Sequence, residues 1–117
     1  MRFAIRRVEK PWGHELILAH TDRYVGKLLH IEAGHALSLQ FHERKDETFF
    51  VARGEIVLEV EEGGEMVAQA LREGESYHVS PGTRHRMIAG KSGCDLFEVS
   101  TPELEDVIRI EDRYGRT

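Results

Sequence analysis

Residues 34–54 read GHALSLQFHERKDETFFVARG, and this stretch decides the fold. Gly34 is followed by Gln40, then His42, then Glu47, then Gly54, in the spacing G34-x5-Q40-x-H42-x4-E47-x6-G54. Gln40 and His42 stand two apart in an alternating segment, Ala36 to His42, so on a strand both side chains leave one face. The polar run Glu43-Arg44-Lys45-Asp46 makes a turn, after which Glu47 opens a second strand to Ala52 that ends at Arg53-Gly54. An antiparallel return of that kind brings Glu47 opposite the Gln40/His42 face. The theme repeats at residues 74–85, GESYHVSPGTRH, where Gly74 is followed by a strand, a tight Pro81-Gly82 turn and then His85. Together Gln40, His42, Glu47 and His85 offer two imidazoles and two oxygens, a set that suits a borderline divalent cation with positions left open for water or substrate.

Outward from these motifs the same alternation continues. Tyr24–Ile31, Glu55–Glu61, Met66–Leu71, Ser76–Ser80, His85–Ala89 and Cys94–Ser100 all read as strands, and Leu104–Ile110 as a last one. Glu62-Gly63-Gly64-Glu65 is a hairpin turn, because paired glycines accept the positive φ it requires. No helical stripe of a dozen residues occurs. Short strands separated by turn signals predict an all-β sandwich or barrel, expected as a single domain over residues 1–117. The chain has 16 Lys+Arg against 21 Asp+Glu, a net charge of −5, which argues against a nucleic-acid partner. No apolar run approaches the roughly 20 residues that cross a bilayer, and no apolar segment follows the basic N-terminus as in a signal peptide. The one cysteine, Cys94, fits a reducing compartment, so a cytoplasmic location is expected, with Cys94 a small buried hydrophobe.

The two motifs resemble those of the cupin superfamily, jelly-roll barrels in which three histidines and a glutamate hold a metal. Here Gln40 stands where the first histidine is common, Ser80 where proline is common and Ala89 where asparagine is common. The segment Leu37-Ser38-Leu39-Gln40-Phe41-His42 is similar to that of the type II phosphomannose isomerase cupins. Lys10-Pro11-Trp12-Gly13, Pro81-Gly82-Thr83-Arg84-His85 and Ile110-Glu111-Asp112-Arg113-Tyr114-Gly115-Arg116 are similar too, in the family's order. In bacteria such cupins often follow a mannose-1-phosphate guanylyltransferase domain; no glycine-rich nucleotide loop precedes the motifs here, so that half is not expected.

The resemblance implies a jelly-roll barrel, one divalent ion (zinc first, then Mn, Fe, Co or Ni) on Gln40, His42, Glu47 and His85, and interconversion of mannose 6-phosphate and fructose 6-phosphate. That reaction needs a base within reach of the migrating proton and a cation on the phosphate. Lys27 and Glu98 are the candidate catalytic groups, Glu98 on condition that Phe97 and Val99 face away from the cavity. Arg44, Lys45, Arg84, Arg86, Arg109, Arg113 and Arg116 are the candidate phosphate ligands. Two other functions remain open at this point: a metal- and sugar-binding cupin without turnover, and a metal-dependent dioxygenase, which the missing histidine disfavours. The other histidines read as surface residues, with His30 ambiguous, and Trp12 as a core or dimer anchor. A homodimer is expected, with Phe3–Trp12 a candidate for strand exchange.

Overall fold

The computed structural model describes residues 1–117 and contains nine strands and no helix. They are β1 (Arg6–Lys10), β2 (Gly13–His20), β3 (Val25–Ile31), β4 (Leu39–Phe41), β5 (Glu47–Glu62), β6 (Glu65–Arg72), β7 (Ser76–Val79), β8 (His85–Ser100) and β9 (Ile108–Glu111). The all-β expectation holds. Two sequence readings shift in detail. Residues 6–20, read as no strand, form β1 and β2, and the last strand begins at Ile108 because residues 102–107 close into tight turns. Of the segment Ala36–His42 only Leu39–Phe41 is ladder, with Ala36 bridged singly to Ile88.

All the strands belong to one curled antiparallel sheet running β1-β2-β3-β8-β4-β9, with β5 joining β8 to β6 and β7. Its backbone is the antiparallel pair β5/β8. The first part of β5 lies between β7 and the end of β8; its second part lies between β6 and the start of β8. Register shifts at Val51/Arg53 and Gly54/Ile56 bend the pair between these halves. Such bulges add a residue on one strand and sharpen the twist, which lets a sheet curl round on itself. Gly54 sits there at φ 77°, and a Cβ on it would lie 2.2 Å from the Gly93 carbonyl oxygen. At the tip, Glu62 pairs Glu65 across Gly63 and Gly64, both at positive φ, as the hairpin reading requires.

The core fills the inside of the curl. Trp12, Leu29, Ile31, Phe49, Val51, Ile56, Leu58, Met87 and Leu96 are buried in one cluster, with Cys94 among them. Cys94 is fully enclosed, and burial pushes its thiol up to about 12. At one end of this core the inward positions turn polar: Glu15, Lys27, His42, Lys45, Glu47, His85 and Glu98 are all buried. Burying that many ionisable groups is unfavourable unless they are paired or hold a ligand.

Candidate metal centre and active site

The strand register assembles the site. His85, the first residue of β8, has Gln40 of β4 as its partner on one side and Val60 of β5 on the other. Glu47 opens β5, and Gly82 N–H donates to the His42 carbonyl at 2.7 Å, tying the Pro81-Gly82 turn to the residue that follows β4. The outcome is a cluster in which one ligand atom each from His42, Glu47 and His85 lies within 4.8 Å of the others. His42 Nε2 is 3.4 Å from Glu47 Oε2, and His85 Nε2 is 3.3 Å from Glu47 Oε1. Gln40 lines the same cavity but is less deeply enclosed than those three.

Each imidazole is oriented from behind. His42 Nδ1–H donates to the Asp106 carbonyl, and His85 Nδ1–H donates to the Thr83 carbonyl at 2.9 Å. Both rings therefore turn Nε2 toward Glu47, the arrangement in which an outer hydrogen bond fixes the tautomer of a metal-binding histidine. His85 Nε2 is buried with no hydrogen-bond partner. Orphaned buried polar atoms are rare and call for a missing partner. Two neutral imidazoles, one carboxylate and a nearby amide fit a divalent ion such as Zn²⁺. The residues present could hold one.

A second charged group adjoins the first. Lys45, in the turn after His42, places Nζ 2.9 Å from Glu47 Oε2 and 3.0 Å from Glu98 Oε2. Burial works against the lysine charge, but Glu98 and Glu47 outweigh it and hold its pKa above the usual lysine range. Burial likewise raises Glu47, yet His42, His85 and Lys45 together keep it well below the usual carboxylate range. Glu98 faces the cavity while its neighbours Phe97 and Val99 point outward and are exposed, which meets the condition set on it by alternation. Lys27 is the register partner of Glu98 across β3/β8 and also lines the cavity, 3.4 Å from Glu15 Oε1. Trp12 is both a core residue and a wall of this cavity.

Sequence reasoning did not reach two of these residues, Asp106 and Glu15, nor the pairing of Lys45 with Glu98. Asp106 accepts the backbone N–H groups of Glu43, Arg44 and Lys45 at 3.0, 2.7 and 2.9 Å. The Arg44 N–H first, then those of Lys45 and Glu43, hold its carboxyl below the usual range. It thus shapes the turn that carries Lys45 while its carbonyl orients His42. Glu15 lies beside Lys27 from β2, a segment not read as a strand in the sequence, and Lys45 with Glu98 has no spacing signature because the two stand 53 residues apart. Among the histidines outside the cluster, His30 settles on the outer face, 2.6 Å from Asp95 and stacked on His14.

Residues 3–112 match the family described as "Mannose-6-phosphate isomerase C-terminal". The chain is 36% identical over 115 residues to "Mannose-1-phosphate guanylyltransferase ManC" of Salmonella typhimurium, covering 95% of this chain and 23% of that protein. It is 34% identical over 116 residues to "Xanthan biosynthesis protein XanB" of Xanthomonas campestris, covering 96% and 24%. The chain thus spans about a quarter of the length of these curated relatives. Among solved structures, KdgF from Halomonas sp. superposes with a TM-score of 0.74 at 22% identity, over 88% of this chain and 89% of that one. Oxalate decarboxylase from Bacillus subtilis superposes at 0.80 and 15% identity, over 97% and 32%. Those two likenesses bear on the fold alone, a double-stranded β-helix. With the fold, the motif spacing and a match over nearly all its length in agreement, the chain belongs to the mannose-6-phosphate isomerase C-terminal family of cupins.

Proposed function

We propose that this protein is a metal-dependent aldose–ketose isomerase that interconverts mannose 6-phosphate and fructose 6-phosphate through a cis-enediol. One observation carries the reading: a buried donor triad, His42, Glu47 and His85, shares a small cavity with a separately held carboxylate, Glu98. A binding module needs the first; proton transfer at carbon needs both. The family's name and the mannose phosphate in a relative's name support the substrate class.

His42, Glu47 and His85, with Gln40 beside them, would hold the ion. A divalent ion bound there supplies Lewis acidity to the oxygens on C1 and C2 of the open-chain sugar. Glu98 takes the proton from C2 and returns it to C1, held in place by the Lys45 ammonium at 3.0 Å. Lys27, across the ladder from Glu98, serves the oxygens, donating a hydrogen bond to the enediolate as the hydroxyl proton passes between O2 and O1. Leu29, Met87 and Trp12 form the apolar wall that limits water around the intermediate.

The test is proton exchange. Protein stripped by chelator and reloaded with Zn²⁺, Mn²⁺ or Co²⁺ is incubated with mannose 6-phosphate in D₂O, and loss of the C2 proton signal is followed by NMR. Exchange is expected only after reloading. Glu98→Gln is expected to lower kcat by about 10²–10⁴-fold, the range for one acid–base group, at unchanged metal content. Metal-loaded protein that binds the sugar phosphate and never exchanges the proton would leave a binding module and end the isomerase reading.

A further inference from the structure

The cavity that holds the donor triad measures about 100 Å³. An apolar cavity of about 150 Å³ holds one benzene, so a hexose phosphate cannot be enclosed whole. Its far end must leave by the groove of about 540 Å³ that shares Lys10, Glu15, Lys27, Leu104, Val107 and Arg109 with the cavity. Along the sheet, His85, Gln40 and Arg109 occupy one row on β8, β4 and β9. Register partners present side chains on the same face, and each strand step is about 4.8 Å. Arg109 therefore stands about 10 Å from the His85 position, on the cavity side and toward the groove.

Most other cations of the chain are already engaged. Arg84 pairs with Glu61 at 3.1 Å, and Arg86 with Glu59 at 2.7 Å. Arg116 is clamped by Asp112 at 2.9 and 3.0 Å, and Arg113 donates to the Gly34 carbonyl at 3.1 Å. Lys45 is locked between Glu47 and Glu98, and Lys27 lies against Glu15. Arg109 has no Asp or Glu side chain within ion-pair distance. Its Nη1 donates to the Thr117 main-chain oxygen at 3.1 Å, which braces the group, while its Nε is buried without an acceptor. The Nε/Nη2 edge is the side-on fork that grips an oxyanion with two parallel hydrogen bonds. Lys10, 4.0 Å from Glu15 at the limit of an ion pair, lines both cavity and groove beside it. Around the groove Arg6, Lys10, Lys27 and Arg109 outnumber Glu15 and Glu105.

We infer that Arg109, assisted by Lys10, is the phosphate-binding residue of this site, gripping the terminal monophosphate of an open-chain sugar whose other end lies at His42, Glu47 and His85. The inference rests on the isomerase reading for the identity of the sugar, not for the existence of the subsite. The test measures binding of mannose 6-phosphate, mannose and inorganic phosphate to zinc-loaded protein by calorimetry, beside the NMR exchange assay. Native protein is expected to prefer mannose 6-phosphate over mannose. Arg109→Ala is expected to weaken mannose 6-phosphate by about tenfold or more, as loss of a hydrogen-bonded charge pair does, and to erase that preference at unchanged zinc content. Arg109→Lys should recover part of it, and Arg84→Ala should change nothing. A native protein without the preference, or an Arg109→Ala protein that keeps it, overturns the assignment. Arg109-dependent binding without proton exchange leaves the subsite standing and removes the isomerase; exchange with an unchanged KM in Arg109→Ala does the reverse.

Discussion

Lys45 holds together two carboxylates that would otherwise repel at close range inside a nearly dry site. Its side chain is 6% exposed, as is that of Glu98, and Glu47 is enclosed more deeply still at 2%. Removing one partner of a buried ion pair costs about 3–5 kcal/mol, because the remaining charge is left without compensation. In metal-free protein Lys45→Met is therefore expected to lower Tm by more than about 10 °C, given about 4–8 °C per kcal/mol for a domain near this size. The double variant Lys45→Met/Glu98→Gln should regain part of that loss, since a neutral amide no longer faces Glu47 as a like charge. Thermal unfolding of the four proteins of this cycle decides it, and a Lys45→Met protein as stable as the native one would show that Lys45, Glu47 and Glu98 are not a buried charge network. The residue scale also shows what the sequence could reveal. His42, Glu47 and His85 were legible because their backbone spacings are set by one strand, one turn and one tight Pro-Gly corner. Lys45 read as a turn residue and candidate phosphate ligand, not as the partner of Glu98, and Asp106 did not register at all, because these pairings reach about half the chain away and no local period links them.

At the scale of elements, glycine was the ambiguous letter. Gly54 read as the end of one strand and the start of another, yet β5 runs through it from Glu47 to Glu62, and β8 runs likewise through Gly90 and Gly93. A residue at positive φ ends a ladder only when the chain must turn; in a bulge it keeps the ladder and bends it. Local sequence does not distinguish the two, since the difference lies in the partner strand. The structure does distinguish them energetically. Gly74 has φ 85° with open space where a Cβ would be, whereas the Cβ at Gly54 would meet the Gly93 backbone oxygen at 2.2 Å. Gly74→Ala should thus cost only the left-handed penalty, about 1–2 kcal/mol. Gly54→Ala should cost distinctly more, because backbone on the facing strand has to move. Urea denaturation midpoints compare the two directly. Equal losses would mean that the β5/β8 bend is not locked by this contact. The N-terminal strands escaped the sequence reading for another reason: on β2 the buried positions include Glu15 while Leu16 and Leu18 lie on the outer side, so the polar and apolar letters do not follow the alternation of burial.

For the whole molecule, the face opposite the cavity remains to be accounted for. Register places Leu16, Leu28, Phe97 and Phe50 in one row across β2, β3, β8 and β5. On this outer side Phe50 is 42% exposed, Phe97 43% and Val99 61%. A contiguous apolar row on a sheet face is a typical mark of an interaction surface, and a second copy of the chain would cover like with like in a two-fold contact. Strand exchange through the N-terminal segment is the other arrangement: β1 pairs with β2 and Trp12 is sunk in the core, contacts that a second copy could supply by exchanging the segment. With the apolar row as the contact, sedimentation is expected to give the mass of two chains for the native protein and of one chain for Phe97→Glu, whose carboxylate would be desolvated at the centre of the contact. Deleting residues 1–5 should leave the dimer intact. If the deletion yields the monomer and Phe97→Glu does not, the chains meet through β1 and the apolar row serves another purpose. Because Phe97 points outward where its neighbour Glu98 points into the cavity, Phe97→Glu also tests whether assembly supports the site: loss of the dimer with metal content and proton exchange unchanged would show that each barrel is complete by itself.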